Sequence, residues 1–258
     1  MSKIYLDNNV FVDIESGIYN LSDFLSLEDV EYYFSSAHIE ELIEGQNIQS
    51  LSIDDRLLLI EKICGKNFIL QDVTTPTINP MSPKDVFNLY KKPLIRSCRN
   101  QLNEAVSDFN VDRNKFLEIL GIRKIDINNI PPQNIIKELD KALYSIENYS
   151  EQINIKTYVN NTHAIGRSVF HTLFNLLDFA CYHKDKQTEH SNVARMYDAS
   201  HIYYAQLCDY FVSQDKRLKY KAEAVYSYLG IETRVISTTD YIRDFLKKKR
   251  VEYQMRRK

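Results

Sequence analysis

Strand-like runs sit only at the two ends of this 258-residue chain, and from about residue 83 to 190 the pattern is nearly all helix. "KIYL" at 3–6 and the aromatic "VEYYFSS" at 30–36 are short apolar strand candidates, and "NFILQD" is a further one. The helical "AHIEELIEG" follows the second run directly, and residues 53–64, "IDDRLLLIEKIC", have an amphipathic helical pattern. The long helical stretch has one clear interruption, "GIRKIDINNIPPQ", where Pro131 and Pro132 are poised to open the next helix. From residue 191 the character changes. Ser191 or Asn192 can cap a helix to about Leu207, "YFVS" reads as a buried strand, and a helix over about 219–229 closes at Gly230. "TRVIS" is the next strand, and a last helix starts near Thr239. Strands alternating with helices across short links require a parallel sheet covered by helices. The expected fold is therefore α/β, one parallel sheet flanked by helices and built from residues 1–75 and 191–258. Residues 76–190 form a large α-helical insertion in this reading.

Composition removes several classes. Lys and Arg total 33 against 35 Asp and Glu, so bulk charge selects no partner. Cysteines 64, 98, 181 and 208 form no CxxC pair, which argues against a zinc site or disulfide framework. Free thiols suit a reducing compartment, and the expected location is cytoplasmic. The most apolar stretch, "VFHTLFNLLDFACYH", is broken by His171, Asn175 and Asp178 and is too short and polar to span a membrane. "MSKIYLDNNV" lacks the layout of a secretory signal. There is no GxGxxG, P-loop or nucleophile elbow.

Acids gather where ligands bind an open parallel sheet, outside the carboxyl ends of its strands. Asp7 follows the first strand, Asp215 the "YFVS" strand, and Glu41 sits early in the helix after the second strand. Asp198 lies in the first two turns of the helix leading into "YFVS". Three have a plainer reading: Asp7 or Asp215 could cap a helix, and Glu41 competes with Glu40 and Glu44, whereas Ala199, Ile202 and Ala205 give Asp198 a buried surrounding. Together they would repel, by roughly 4 kcal/mol for two charges about 4 Å apart at an effective dielectric near 20. Raised pKa values or a bound cation would relieve this, and Mg²⁺ or Mn²⁺ suits oxygen ligands and phosphate.

"IYLDNNVF", "SSAHIEELIEG", "YDASHIYYAQLCDYFVSQDKRL" and "GIETRVIS" resemble, in order and spacing, the PIN-domain family of metal-dependent ribonucleases, which includes bacterial toxin–antitoxin toxins. The third stretch is the most specific: an Asp-bearing helix, a short strand, then Ser-x-Asp. The resemblance implies that Asp7, Glu41, Asp198 and Asp215 are both catalytic and metal-binding, with Ser213 in support. It implies an endoribonuclease in which an activated water attacks an RNA phosphodiester. It covers about 1–65 and 191–240 but not the helical middle. Partners compatible with it are an RNA substrate, an antitoxin or regulatory protein, and a second copy of the chain. The rival readings are a catalytically inactive PIN-like scaffold and a DNA-directed nuclease.

His201, one turn after Asp198, reads as a packed or hydrogen-bonded histidine, and Asp209 as a turn or cap residue. The segment from Arg243 to Lys258 carries eight Lys and Arg; Lys247, Lys248, Lys249 and Arg250 are its candidate nucleic-acid contacts. "KKP" at 91–93, with Arg96 and Arg99, is a weaker basic cluster.

Overall fold

A computed structural model describes residues 1–25, 29–44, 52–71, 75–93, 112–122, 127–145, 155–161, 166–184, 191–246 and 255. The first part of the chain runs β1 (Ser2–Leu6), α1 (Asn8–Glu15), α2 (Leu21–Phe24), β2 (Val30–Ser35), α3 (Ser36–Glu44) and α4 (Ile53–Cys64). Next come β3 (Asn67–Gln71), β4 (Pro76–Pro80), α5 (Pro83–Tyr90), α6 (Arg113–Ile119), α7 (Pro132–Tyr144), α8 (Ile155–Asn161) and α9 (Arg167–Phe179). The last part is α10 (Ser191–Ala205), β5 (Tyr210–Val212), α11 (Lys216–Leu229), β6 (Arg234–Ile236) and α12 (Thr238–Asp240), which runs into a π-helical turn at Tyr241–Leu246. The six strands form one sheet in the order β4-β3-β2-β1-β5-β6, parallel except for the antiparallel β3–β4 pair. Strands from both ends of the chain thus meet at β1.

Residue period and register agree across this sheet. Tyr5 of β1 aligns with Tyr33 of β2 and Phe211 of β5, and all three enter the same core cluster. One residue earlier, Ile4 aligns with Tyr32 and Tyr210, and these face the opposite core. Both faces of β1 are apolar because both are covered, so the strand reads as a continuous run, as parallel strands do.

The two cores are made by different parts of the chain. Residues from α1, α3, α4 and α5 fill one face. The other face holds α10 and α11, and residues of α6, α7, α8 and α9 join the same continuous cluster. The helical middle therefore extends the core over α10 and α11. Its expected first residues differ from the sequence reading: 76–80 form the antiparallel edge strand β4. Pro76 and Pro80 bracket that strand, and an edge tolerates prolines because one side of its ladder has no partner.

Helix ends follow side-chain chemistry. Pro132 stands at the first position of α7, with Pro131 before it, where a missing N–H is harmless. Gly230 ends α11 at φ 70°, a left-handed conformation suited to glycine. The helix expected from about 219 begins at Lys216, because Asp215 Oδ1 accepts from the N–H groups of Arg217 at 2.7 Å and Leu218 at 3.3 Å.

Candidate active site

All five parallel strands end at one edge, and the crossovers from β1 and β5 leave toward opposite faces. Helix α1, after β1, lies in one core and α11, after β5, in the other. That divergence makes the carboxyl ends of β1 and β5 the topological switch point of the sheet, the place where open α/β sheets bind ligands. Asp7 stands at the end of β1, its N–H bonded to Val212 O at 2.8 Å. Ser213 and Asp215 follow β5.

Asp7 is buried, and although it precedes α1 its carboxylate makes no capping bond. It accepts instead from Ser213 Oγ at 2.8 Å and Asn9 Nδ2 at 3.3 Å. Ser213 Oγ also accepts from the Asp215 N–H at 3.1 Å, so the hydroxyl ties the two acidic positions together. Burial pushes the Asp7 carboxyl up to about 6; His201 opposes this, Glu41 adds to it, Ser213 opposes it and Asp215 adds to it. Asp7 is thus a carboxyl group held in a site that disfavours its charge.

Glu41 comes from α3, and its Oε1 is 3.4 Å from Nε2 of His201, an ion-pair distance without hydrogen-bond geometry. His201 is fully buried on α10, with Nδ1 2.8 Å from the Tyr5 hydroxyl. Burial disfavours its charge, yet Glu41, Asp7 and Glu40 outweigh that and raise its pKa above the ordinary value. As imidazolium it donates from Nδ1 to the Tyr5 oxygen, leaving the Tyr5 proton for Ser35 Oγ at 2.6 Å. His38 is the neutral counterpart: its Nε2 lies 2.8 Å from Leu6 O, and its Nδ1 accepts from the Ser35 N–H at 3.1 Å. One histidine is drawn toward its charged form by neighbouring carboxylates, the other is a backbone staple.

Asp198 is half-buried on α10, one turn before His201 and so on the same side of that helix. The structure brings Asp7, Glu41, Asp215 and Ser213 to one edge, while Asp198 is placed only by its position on α10. His201 is a packed, hydrogen-bonded histidine, as read from the sequence, and it also faces the acids. Tyr5 and His38 were not singled out; within apolar runs, nothing in their spacing marks them. Lys247, Lys248, Lys249 and Arg250 lie outside the described residues, as do Arg96 and Arg99.

Asp209 sits at the other edge. Its carboxylate accepts from the Lys3 N–H at 2.8 Å, and with Ser2, Cys208, Thr233 and Arg234 it lines an open cavity of about 840 Å³. It holds the start of β5 to β1 and caps no helix. Asp209→Asn is expected to cost about 0.5–1.5 kcal/mol in a denaturation titration and to leave chemistry at the acidic edge unchanged.

The donor set suits a hard divalent cation: oxygen groups, one of them destabilised as an anion by burial and by two other acids. Among the described residues no three His, Cys, Asp or Glu side chains are gathered closely enough to hold an ion as they stand. Mg²⁺ does not require that, since it keeps several waters and commonly uses one or two carboxylates together with substrate phosphates. Asp7 is the best placed of these, with Glu41 and Asp215 beside it.

No protein-family model, no curated protein and no solved structure matches the chain. Among the described residues no helix is long and apolar enough to cross a membrane. The described cysteines, 64, 181 and 208, are free and buried.

Proposed function

We propose that this protein is a PIN-like, metal-dependent endoribonuclease whose reaction takes place at the carboxyl ends of β1 and β5. The observation that carries the reading is Asp7, a buried carboxylate that caps no helix, has a raised pKa, and stands beside two further acids where open α/β sheets bind ligands. Asp7, with Glu41, Asp215 and Asp198, would hold Mg²⁺ or Mn²⁺. When bound, the metal supplies activation of a water and charge stabilisation at a phosphodiester. Ser213 orients the Asp7 carboxylate through its 2.8 Å hydrogen bond, and Asp215 fixes the first turn of α11 beside it. His201 holds Glu41 in place while no metal is present. RNA is the proposed substrate, with Lys247, Lys248, Lys249 and Arg250 as proposed phosphate contacts. An antitoxin or regulatory protein is the proposed macromolecular partner.

A second reading is favoured by the duties that the acids already have. Glu41 is engaged by His201, and Asp215 spends its carboxylate on a helix cap. A scaffold that keeps the fold without turnover would look the same at these two positions. Incubating the purified protein with single-stranded RNA and DNA, with Mn²⁺ or with chelator, separates these readings. RNA cleavage that requires Mn²⁺ and survives Asp209→Asn is the expected result. Cleavage of DNA alone would move the substrate class, and no cleavage of either polymer would leave only the scaffold.

A further inference from the structure

Arg167 opens α9, in the helical middle, yet its guanidinium reaches the carboxyl edge of the sheet. Nη1 donates to Gln71 Oε1, at the end of β3, at 3.0 Å. Nη2 donates to Ser200 Oγ on α10 at 2.8 Å, and Nε to His171 Nε2, one turn along α9, at 3.2 Å. All three acceptors are neutral. His171 accepts at Nε2, and burial, helped by the Arg167 charge, lowers its pKa to about 3. Among the described residues no carboxylate stands at ion-pair distance from this guanidinium.

A half-buried arginine held by three neutral acceptors is positioned without being neutralised. A guanidinium carries five N–H donors, and three are used. One N–H therefore remains on each terminal nitrogen, a forked pair that matches two oxygens of a phosphate. Location supports the same ligand. Ser200 directly precedes His201, the partner of Glu41. The Arg167 charge also acts on Tyr204, whose hydroxyl is 2.8 Å from Ser36 Oγ at the start of the helix bearing Glu41. The cation thus stands at the carboxyl edge of the sheet, against the face of α10 that carries Ser200, and no carboxylate among the described residues pairs with it.

We propose that Arg167 binds a phosphate of the RNA strand next to the one cleaved, an assignment that rests on the ribonuclease reading above. The acids take the reacting phosphate, and Arg167 takes its neighbour and fixes the register of the strand. The helical middle supplies a substrate contact in this way, as well as enlarging the core.

Two variants and a metal-free measurement test this. Binding of a short single-stranded RNA is measured with chelator present, over a series of salt concentrations, so that no cleavage enters the readout. Arg167→Gln removes the charge: affinity is expected to fall about ten- to a hundredfold and the salt slope to flatten by about 0.7. Arg167→Lys keeps the charge and the stem but loses the fork. It guards against loss of fold, and is expected to weaken binding about tenfold with the slope retained. Mn²⁺ titration should match the wild type in both, and melting should fall modestly in both, since each variant loses part of the three hydrogen bonds. Unaltered affinity and slope in Arg167→Gln overturn the assignment while the nuclease reading stands. RNA binding that falls in the variants, in a protein that cleaves nothing with Mn²⁺, overturns the nuclease reading and upholds the phosphate contact. A wild-type chain that binds no RNA overturns both.

Discussion

Asp178→Asn is expected to destabilise the fold by about 3–5 kcal/mol and to lower the melting temperature on the order of 10 °C. Asp178 is fully buried on α9 and is the shared counter-ion of three cations from three other helices. Arg113 of α6 pairs with its Oδ2, as does Arg195 of α10 at 2.8 Å, while Lys221 Nζ of α11 is 3.2 Å from Oδ1. Lys221 is fully buried as well, and Arg113 and Arg195 nearly so. Asparagine keeps the shape and can still accept hydrogen bonds, but it brings no charge. Three cations would then share a low-dielectric interior without their carboxylate, and a broken buried pair costs far more than an exposed one. Denaturant unfolding of the two proteins measures the difference. A loss below about 1 kcal/mol would mean that other groups balance these cations and that Asp178 is not the junction of the four helices.

The same residue marks where the sequence stops being legible. His171, Asn175 and Asp178 read there as polar breaks that disqualify a membrane span, which is true as far as it goes. Their spacing is helical, and with Arg167 they form one stripe along α9. In the structure that stripe meets α10 in antiparallel order. Arg167 and His171 meet Ser200, while Asn175 and Asp178 meet Arg195. Periodicity identifies a polar face but not whether water or another helix covers it. That is why Arg167, at the end of this seam, carried no signal of its own.

The sheet was easier to read than its edge. Short apolar runs and Gly230 were enough to indicate five of the strands and the stop of α11, because those features follow from local chemistry. β4 was not legible: "PTINP" has two prolines and little apolar content, and only its position at the sheet edge makes it a strand. At the site, strand ends pointed to Asp7 and Asp215 because a parallel sheet brings those ends together. The His201–Glu41 pair depends on how α10 is rotated against α3, which no single segment specifies.

Asp7→Asn should separate the functional from the structural meaning of the buried acid. The carboxyl has an ordinary pKa of 3.8 and is pushed up to about 6 in the fold, chiefly by burial. The folded state therefore binds more protons than the unfolded chain between those values, and the wild type loses stability as pH rises from about 4 to 6. That interval corresponds to about 3 kcal/mol. Asparagine has no proton to lose and can still accept from Ser213 Oγ, so this loss disappears. Part of the gain is offset because His201 loses one of the negative charges that favour its imidazolium. With chelator present, the variant should be about 2–3 kcal/mol more stable than the wild type at pH 8. The two should converge near pH 4. Mn²⁺ affinity and RNA cleavage should fall by contrast, cleavage on the order of a hundredfold or more. Unfolding titrations at several pH values, Mn²⁺ titration and cleavage assays on one preparation supply all three readouts. A variant less stable than the wild type at pH 8 would make Asp7 a structural acid, and undiminished Mn²⁺ binding would remove the metal from this edge.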